Sequence, residues 1–266
     1  MTHRTVGIVG RDFCGSTMLL KMLSCLDGVH TAGEMHWLVD VPSGESITTR
    51  AGWPVTRRCV VHGDACEALT PAFVDGPHAP ETLYADVAEA MGADILVSAD
   101  KMVFHYDRFV KPGQLEAIVL FKSPKAQVSS DMRNEQRGFF EALDLWVATY
   151  QRIIEWVLST KYPSRTSFVS YEQLANQPRP MLKAICSHHE LPEPPENFVE
   201  RFANVKNSKA YHCIGCSPHS HNRTAVAVDR RWREELKNGQ IRLCDTGPAA
   251  MTFERLQKLA LQPNES

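Results

Sequence analysis

Apolar residues fall in two registers along this chain. Short stretches at Thr5 to Val9, Gly28 to Ala32, Asp94 to Ser98, Leu115 to Phe121 and Ser167 to Ser170 read as strands. Between them, apolar positions recur every three or four residues. Met18, Leu19, Leu20, Met22, Leu23 and Leu26 form one such stretch and Pro80 to Met91 another. A longer one, Phe139 to Leu158, carries Leu143, Trp146, Val147, Tyr150, Ile153, Ile154 and Val157, and its aromatic residues are read as core. The alternation predicts an α/β fold: a mostly parallel central sheet with helices on both faces.

From Val41 to His78 the pattern lapses. Pro42, Gly44, Gly52, Pro54, Gly63, Pro71, Gly76 and Pro77 read as an irregular insertion or lid at about 41–78, within a single domain spanning 1–266. Long loops of this kind are usually functional covers, so acceptor-substrate recognition is placed here.

Composition narrows the partners. A chain of 266 residues, 43% hydrophobic and 23% charged, is large enough for one sizeable core. Its net charge of -2 argues against nucleic acid, whose binders carry a strongly basic face. No apolar run reaches bilayer-spanning length, and no signal-peptide pattern follows His3 and Arg4. The expectation is a cytoplasmic protein with no membrane partner. Oligomeric state leaves no mark in the sequence.

Candidate chemistry begins where the first strand meets the first helix, at Gly10-Arg11-Asp12-Phe13-Cys14-Gly15-Ser16-Thr17-Met18. A helix opening at such a loop aims its unpaired N–H groups and the positive end of its dipole at whatever lies above, which suits phosphate or another oxyanion. The spacing from Gly10 to Gly15 and Ser16-Thr17 is that of a Walker A loop, with Ser16 in the lysine position. Ordinary ATP or GTP hydrolysis is therefore not expected. A P-loop-like cradle for a less charged 5′ anion, built from backbone and hydroxyl groups, fits the residues present.

A second anion pocket follows the Leu115 to Phe121 run. Lys122 stands at the strand end, Pro124 suits the first turn of a helix, and the hydroxyls of Ser129 and Ser130 come one or two turns later. One ligand with two phosphate groups would span both pockets. Glu34 and His36, past the second strand, and Lys101, past the third, stand where open α/β sheets place their ligand crevice. Glu34 or His36 can accept a proton from a substrate hydroxyl, and Lys101 can stabilise developing negative charge. The plainer readings are a helix-terminal carboxylate for Glu34 and an exposed pair with Asp100 for Lys101.

Eight cysteines in a cytosolic chain do not imply a disulfide framework. Cys25 and Cys186 are read as small core residues. Cys59-x2-His62-x3-Cys66 and His212-Cys213-x2-Cys216-x2-His219-x-His221 hold metal-ligand residue types at short spacing. Neither matches a standard zinc pattern, so no metal ligand is assigned.

Taken together, these residues resemble the PAPS-dependent sulfotransferase family over most of the chain. Gly10-Arg11-x2-Cys14-Gly15-Ser16-Thr17-x-Leu19-Leu20 is similar to its 5′-phosphosulfate loop. Gly33-Glu34 resembles the Gly-Glu after the second strand in a bacterial and tyrosylprotein-like branch, where the glutamate is a proposed base. Lys122 to Ser130 resembles the 3′-phosphate motif, and Tyr171-Glu172-Gln173-Leu174 the family's Tyr-Glu-Asp/Gln-Leu signature. His221-Asn222-Arg223 with Asp229-x2-Trp232 is similar to the C-terminal Gly-Asn-x-x-Arg and Asp-x-x-Trp segment.

The resemblance implies in-line transfer of a sulfuryl group from PAPS to a hydroxyl or amine of a small-molecule or glycan acceptor, leaving PAP and requiring no metal. Phe13, Cys14, Gly15, Ser16, Thr17 and Met18 would hold the 5′ end, and Lys122 and Ser130 with Asn222 and Arg223 the 3′-phosphate. Glu34 would be the base, with His36 or His105 as substitutes. Three positions depart from the pattern. Phe13 stands where many members have a cation, which leaves that role to Arg11 or Lys101; Lys122 replaces a bidentate arginine; and Cys14 replaces a hydroxyl. Two alternatives stay open, a non-catalytic PAP- or PAPS-binding relative and a P-loop small-molecule kinase.

Overall fold

The computed structural model describes residues 3–159, 164–215 and 226–263. Strand β1 (Arg4–Gly10) leads into α1 (Ser16–Leu23) and returns to β2 (Val29–Gly33). The one-turn α2 (Trp37–Asp40) follows, and then the insertion, with a hairpin of β3 (Ile47–Thr48) and β4 (Pro54–Val55), and α3 (Pro71–Val74). Next come α4 (Leu83–Met91), β5 (Ile95–Lys101), α5 (Val103–Phe109), β6 (Leu115–Phe121), α6 (Pro124–Glu135) and α7 (Phe139–Leu158). The chain continues through β7 (Arg165–Ser170), α8 (Tyr171–Asn176), α9 (Pro178–His189), α10 (Phe198–Ala203) and β8 (Tyr211–Ile214) to α11 (Trp232–Glu235), α12 (Asn238–Cys244) and α13 (Gly247–Leu259).

Six of these strands form one sheet in the order β7-β6-β1-β5-β2-β8, with every pairing parallel. Helices cover both faces, as the alternating pattern predicts. Strand β6 shows why its run is continuous: Ala117, Val119 and Phe121 join one core with Trp146 and Tyr150 of α7, while Ile118 and Leu120 join another with Leu19, Leu20 and Leu174. The aromatic residues at 146 and 150 are fully buried, and Cys25 and Cys186 are core residues.

Differences from the sequence reading have local causes. Strand β5 runs on through Ser98, Asp100 and Lys101, where hydropathy gives out. Those polar groups are buried but satisfied, because Ser98 bonds the Tyr84 and Tyr106 hydroxyls and Asp100 accepts from Tyr84 and His36. Strand β8 has no signal of its own in four residues. It exists because Thr31 and Gly33 of β2 pair with it, and a Cβ at Gly33 would lie 2.6 Å from the Ile214 carbonyl oxygen.

Candidate active site

The ends of β1 and β6 lie side by side, with Gly10 opposite Leu120. The loop after β1 and the start of α6 after β6 therefore open on one sheet edge, the carboxyl edge where α/β folds bind ligands. Gly15 caps α1 in a left-handed conformation (φ 103°), and a Cβ there would stand 2.5 Å from Tyr171 Cδ2. The Tyr171 ring also lies under the Lys122 ammonium, 4.4 Å from Nζ to ring centroid. One aromatic ring thus lies against both Gly15 and Lys122.

Lys122 is 5% exposed, and among the described residues no carboxylate lies within ion-pair distance of it. Burial lowers its pKa from the ordinary lysine value, against weaker pulls from Asp229, Cys14 and Glu172. A buried cation over a ring face with no ion pair among the described residues is a charge arrangement that an anion would complete. Glu172 braces the same corner by accepting from the Ser123 amide at 2.9 Å. Ser130 is buried with its Oγ accepting from Asn134, while the hydroxyl of Ser129 donates to Glu235.

In the loop itself, the Cys14 thiol is fully buried in the core, and its amide donates to the Arg11 carbonyl at 3.2 Å. Ser16 and Thr17 open α1, where amides have no carbonyl one turn back. Met18 packs partly buried against the α1-side core. Phe13, at φ 61°, meets the Trp53 ring of the insertion edge-on at 5.7 Å between centroids. Arg11 is turned inward onto α6, with Nε 3.0 Å from Asp131 and a terminal nitrogen 3.6 Å from Glu135. Of Arg11 and Lys101, it is Lys101 that stands at the strand ends beside Asp12 and Glu34.

Lys101 ends β5 in a left-handed conformation (φ 61°) and reaches both Glu34 Oε1 at 2.5 Å and Asp12 Oδ1 at 3.0 Å. Trp37 Nε1 donates to the other Glu34 oxygen at 3.0 Å. Burial lifts the Glu34 carboxyl above the ordinary carboxylate range, against the pull of Lys101 and with a push from Asp12. Burial works against the Lys101 charge, but Glu34 and Asp12 outweigh it and raise its pKa. Asp100 is no partner of Lys101; it accepts from His36 Nδ1 at 2.8 Å. His36 stacks on His105 at 3.8 Å between ring centroids, and burial, followed by the His36 charge, depresses His105 to about 4.

The structure therefore brings Glu34, Lys101 and the Gly15 loop together, and joins that loop to Lys122 through Tyr171. Asn222 and Arg223 lie outside the described residues. Beyond them, Ala227 accepts from the Tyr171 hydroxyl at 3.0 Å, and Asp229 lies close enough to Lys122 to feel its charge. Asp12, Tyr171 and Trp53 are site residues that the sequence reading does not assign. The Tyr-Glu signature marks Tyr171, whereas nothing in the chain order joins Asp12 to Lys101 or Trp53 to Phe13. A cavity of about 470 Å³ nearby, lined by Ser123, Glu172, Gln173 and Gln257, contains a carboxylate and no cation, so it does not suit a polyanion.

No protein-family model and no curated protein matches the chain. Among solved structures it is similar to the sulfotransferase domain from the curacin biosynthetic pathway, with a TM-score of 0.63 at 14% identity, covering 96% of this chain and 98% of that one. It is also similar to the sulfotransferase domain from the Synechococcus PCC 7002 olefin synthase, with a TM-score of 0.64 at 17% identity, covering 98% and 95%. The chain has the α/β sulfotransferase fold over nearly its whole length.

Proposed function

We propose that this protein is a sulfotransferase that moves a sulfuryl group from PAPS to a hydroxyl or amine of a small-molecule or glycan acceptor. The observation that carries the reading is the shared Tyr171 ring, against which both the Gly15 loop and the buried Lys122 ammonium are packed on one edge. The cosubstrate supplies an activated sulfuryl group on a phosphosulfate anhydride. Lys122 with Ser130 receives the 3′-phosphate, and the α1 amides with Ser16 and Thr17 receive the 5′ end.

Glu34 takes the acceptor's proton as the acceptor oxygen bonds to sulfur. Its raised pKa makes it a stronger base than an exposed carboxylate. Lys101 stabilises the negative charge that builds on the oxygen leaving with the electron pair of the broken S–O bond. Asp12 and Glu34 hold Lys101 charged, so it fills the role that a cation at position 13 fills in the family pattern. This is positioning and charge stabilisation, with no covalent enzyme intermediate. Trp53 over Phe13 supports the insertion as the wall against which the acceptor lies.

A sulfuryl-transfer assay on wild type and Glu34→Gln, using a panel of phenol, alcohol and sugar acceptors, tests the reading. Turnover in wild type with loss in Glu34→Gln at unchanged PAP affinity is the expected result. PAP binding without transfer in either protein would support the non-catalytic relative, and a response to magnesium-ATP alone would support the kinase.

A further inference from the structure

The insertion and the edge strand meet at a cluster that the proposed reaction does not use. Cys59, His62 and Cys66 come from the insertion and His212 from β8, 146 positions after Cys66. Their ligand atoms, two Sγ and two ring nitrogens, all lie within 4.8 Å of one another. Cys66 Sγ is 3.1 Å from His212 Nδ1, and Cys59 Sγ is 3.8 Å from His62 Nδ1. Zinc bonds of about 2.3 Å to sulfur and about 2.0–2.1 Å to nitrogen set tetrahedral edges of roughly 3.3–3.8 Å. The cluster already has nearly that size.

We propose that these four residues form a structural zinc site that staples the insertion to the edge of the sheet. The surroundings of each ligand favour it. His62 Nε2 meets the Lys206 carbonyl oxygen at 3.2 Å and His212 Nε2 the Lys209 carbonyl oxygen at 2.8 Å. Both rings thus carry their proton on Nε2 and turn the Nδ1 lone pair toward the sulfurs, the orientation that metal-binding histidines need. The Leu69 amide donates to Cys66 Sγ at 3.3 Å, and the His62 and Cys213 amides donate to Cys59, which stabilises thiolates. Zinc entering the site displaces one proton from each thiol, and two thiolates with one Zn²⁺ make a neutral centre suited to a buried place.

The staple has a clear mechanical purpose. Leu69 and Val74 of the insertion join the main core, and the insertion meets the edge strand where Cys59 bridges Ile214, the Val60 amide donates to the Cys213 carbonyl at 2.7 Å and Cys66 reaches His212. The same insertion carries Trp53, which covers Phe13 of the anion loop. All four coordination positions come from protein, so the site is closed and structural rather than catalytic. The inference is independent of the sulfotransferase reading.

Metal analysis of the full chain, produced in zinc-supplemented medium, is expected to find one zinc per chain, falling to less than a tenth in Cys66→Ser and in His212→Gln. Because losing a ligand of a structural metal can unfold the chain, the wild-type chain is also exchanged with Co²⁺. A tetrahedral two-thiolate, two-imidazole centre then gives intense visible d–d bands and a sulfur-to-cobalt charge-transfer band. Zinc-free wild type with freely titrating thiols, a Cys59–Cys66 disulfide, zinc retained in both variants, or a cobalt spectrum without sulfur-to-metal charge transfer would each overturn the proposal.

Discussion

The Lys122 ammonium sits 4.4 Å from the centroid of the Tyr171 ring, and the opposite demand on that ring comes from Gly15, which has no room for a Cβ against it. Two strand ends separated by more than a hundred residues are thereby held at a fixed distance. A buried ammonium with no ion pair among the described residues costs stability, so Lys122→Met is expected to keep or raise the melting temperature of the free protein. The same variant should lose PAP affinity by roughly 10- to 150-fold, from charged hydrogen bonds worth about 1.5–3 kcal/mol. Thermal unfolding with and without PAP checks both.

Gly15→Ala should do damage of two kinds. The left-handed backbone costs an L residue about 1–2 kcal/mol, and the methyl would press into the Tyr171 ring. The expected outcome is a lower melting temperature, with a smaller loss when Gly15→Ala is made in a Tyr171→Ala background than in wild type, because without the ring only the backbone strain remains for the glycine change to cost. Equal losses in the two backgrounds would show that the ring is not the obstacle.

Arg11 and Lys101 separate by role. Arg11 is bound to Asp131, whose carboxyl burial pushes up to about 6 despite the pull of Arg11. Arg11→Met alone should destabilise by about 3–5 kcal/mol, as breaking a buried pair does. Arg11→Met with Asp131→Leu should recover most of that and keep turnover. Lys101→Met should instead lower kcat by about 10²- to 10³-fold, the usual loss of one charge-stabilising donor. Denaturant titration and initial rates together distinguish the two cations.

Much of this was legible in the chain, and the part that was not has a physical cause. The runs at Val6 and Ile118 reveal their strands because parallel strands are buried on both faces. Lys122 and Gly15 were legible because each stands at a strand end with helix-start chemistry after it. Lys101 as the partner of Glu34 was not, because β2 and β5 are neighbours only in the sheet order. The inward turn of Arg11 depends on Asp131 and Glu135, one helical turn apart on a helix 120 residues away. The cluster at Cys59 failed the usual spacing test because its fourth member waits on the edge strand.

His105 gives stability a pH dependence. Its folded pKa of about 4 lies below the ordinary 6.5, so it binds its proton more weakly when folded. Its contribution is fully present above pH 6.5 and is lost as pH falls through about 4. Wild type should therefore lose melting temperature across that window more steeply than His105→Phe, which keeps a ring against His36. Parallel slopes would remove His105 from the effect.

Glu34 gives turnover a pH dependence of its own. The base must be ionised, and burial holds its pKa above the ordinary carboxylate range, so kcat should rise with pH along a limb displaced upward from that range. Glu34→Gln should lower kcat by about 10²- to 10⁴-fold and abolish the limb. A profile that keeps its limb in the variant would assign the proton to another group.

The most direct measurement is a binding cycle between one side chain and one phosphate. Calorimetric titration of wild type and Lys122→Met with PAP and with adenosine 5′-phosphate, which lacks the 3′-phosphate, gives four dissociation constants. The account predicts that wild type prefers PAP by at least tenfold and that Lys122→Met abolishes the preference while binding adenosine 5′-phosphate as wild type does. A preference for PAP that survives the substitution, or equal weakening of both ligands, would contradict a nucleotide bridging the Gly15 loop and Lys122.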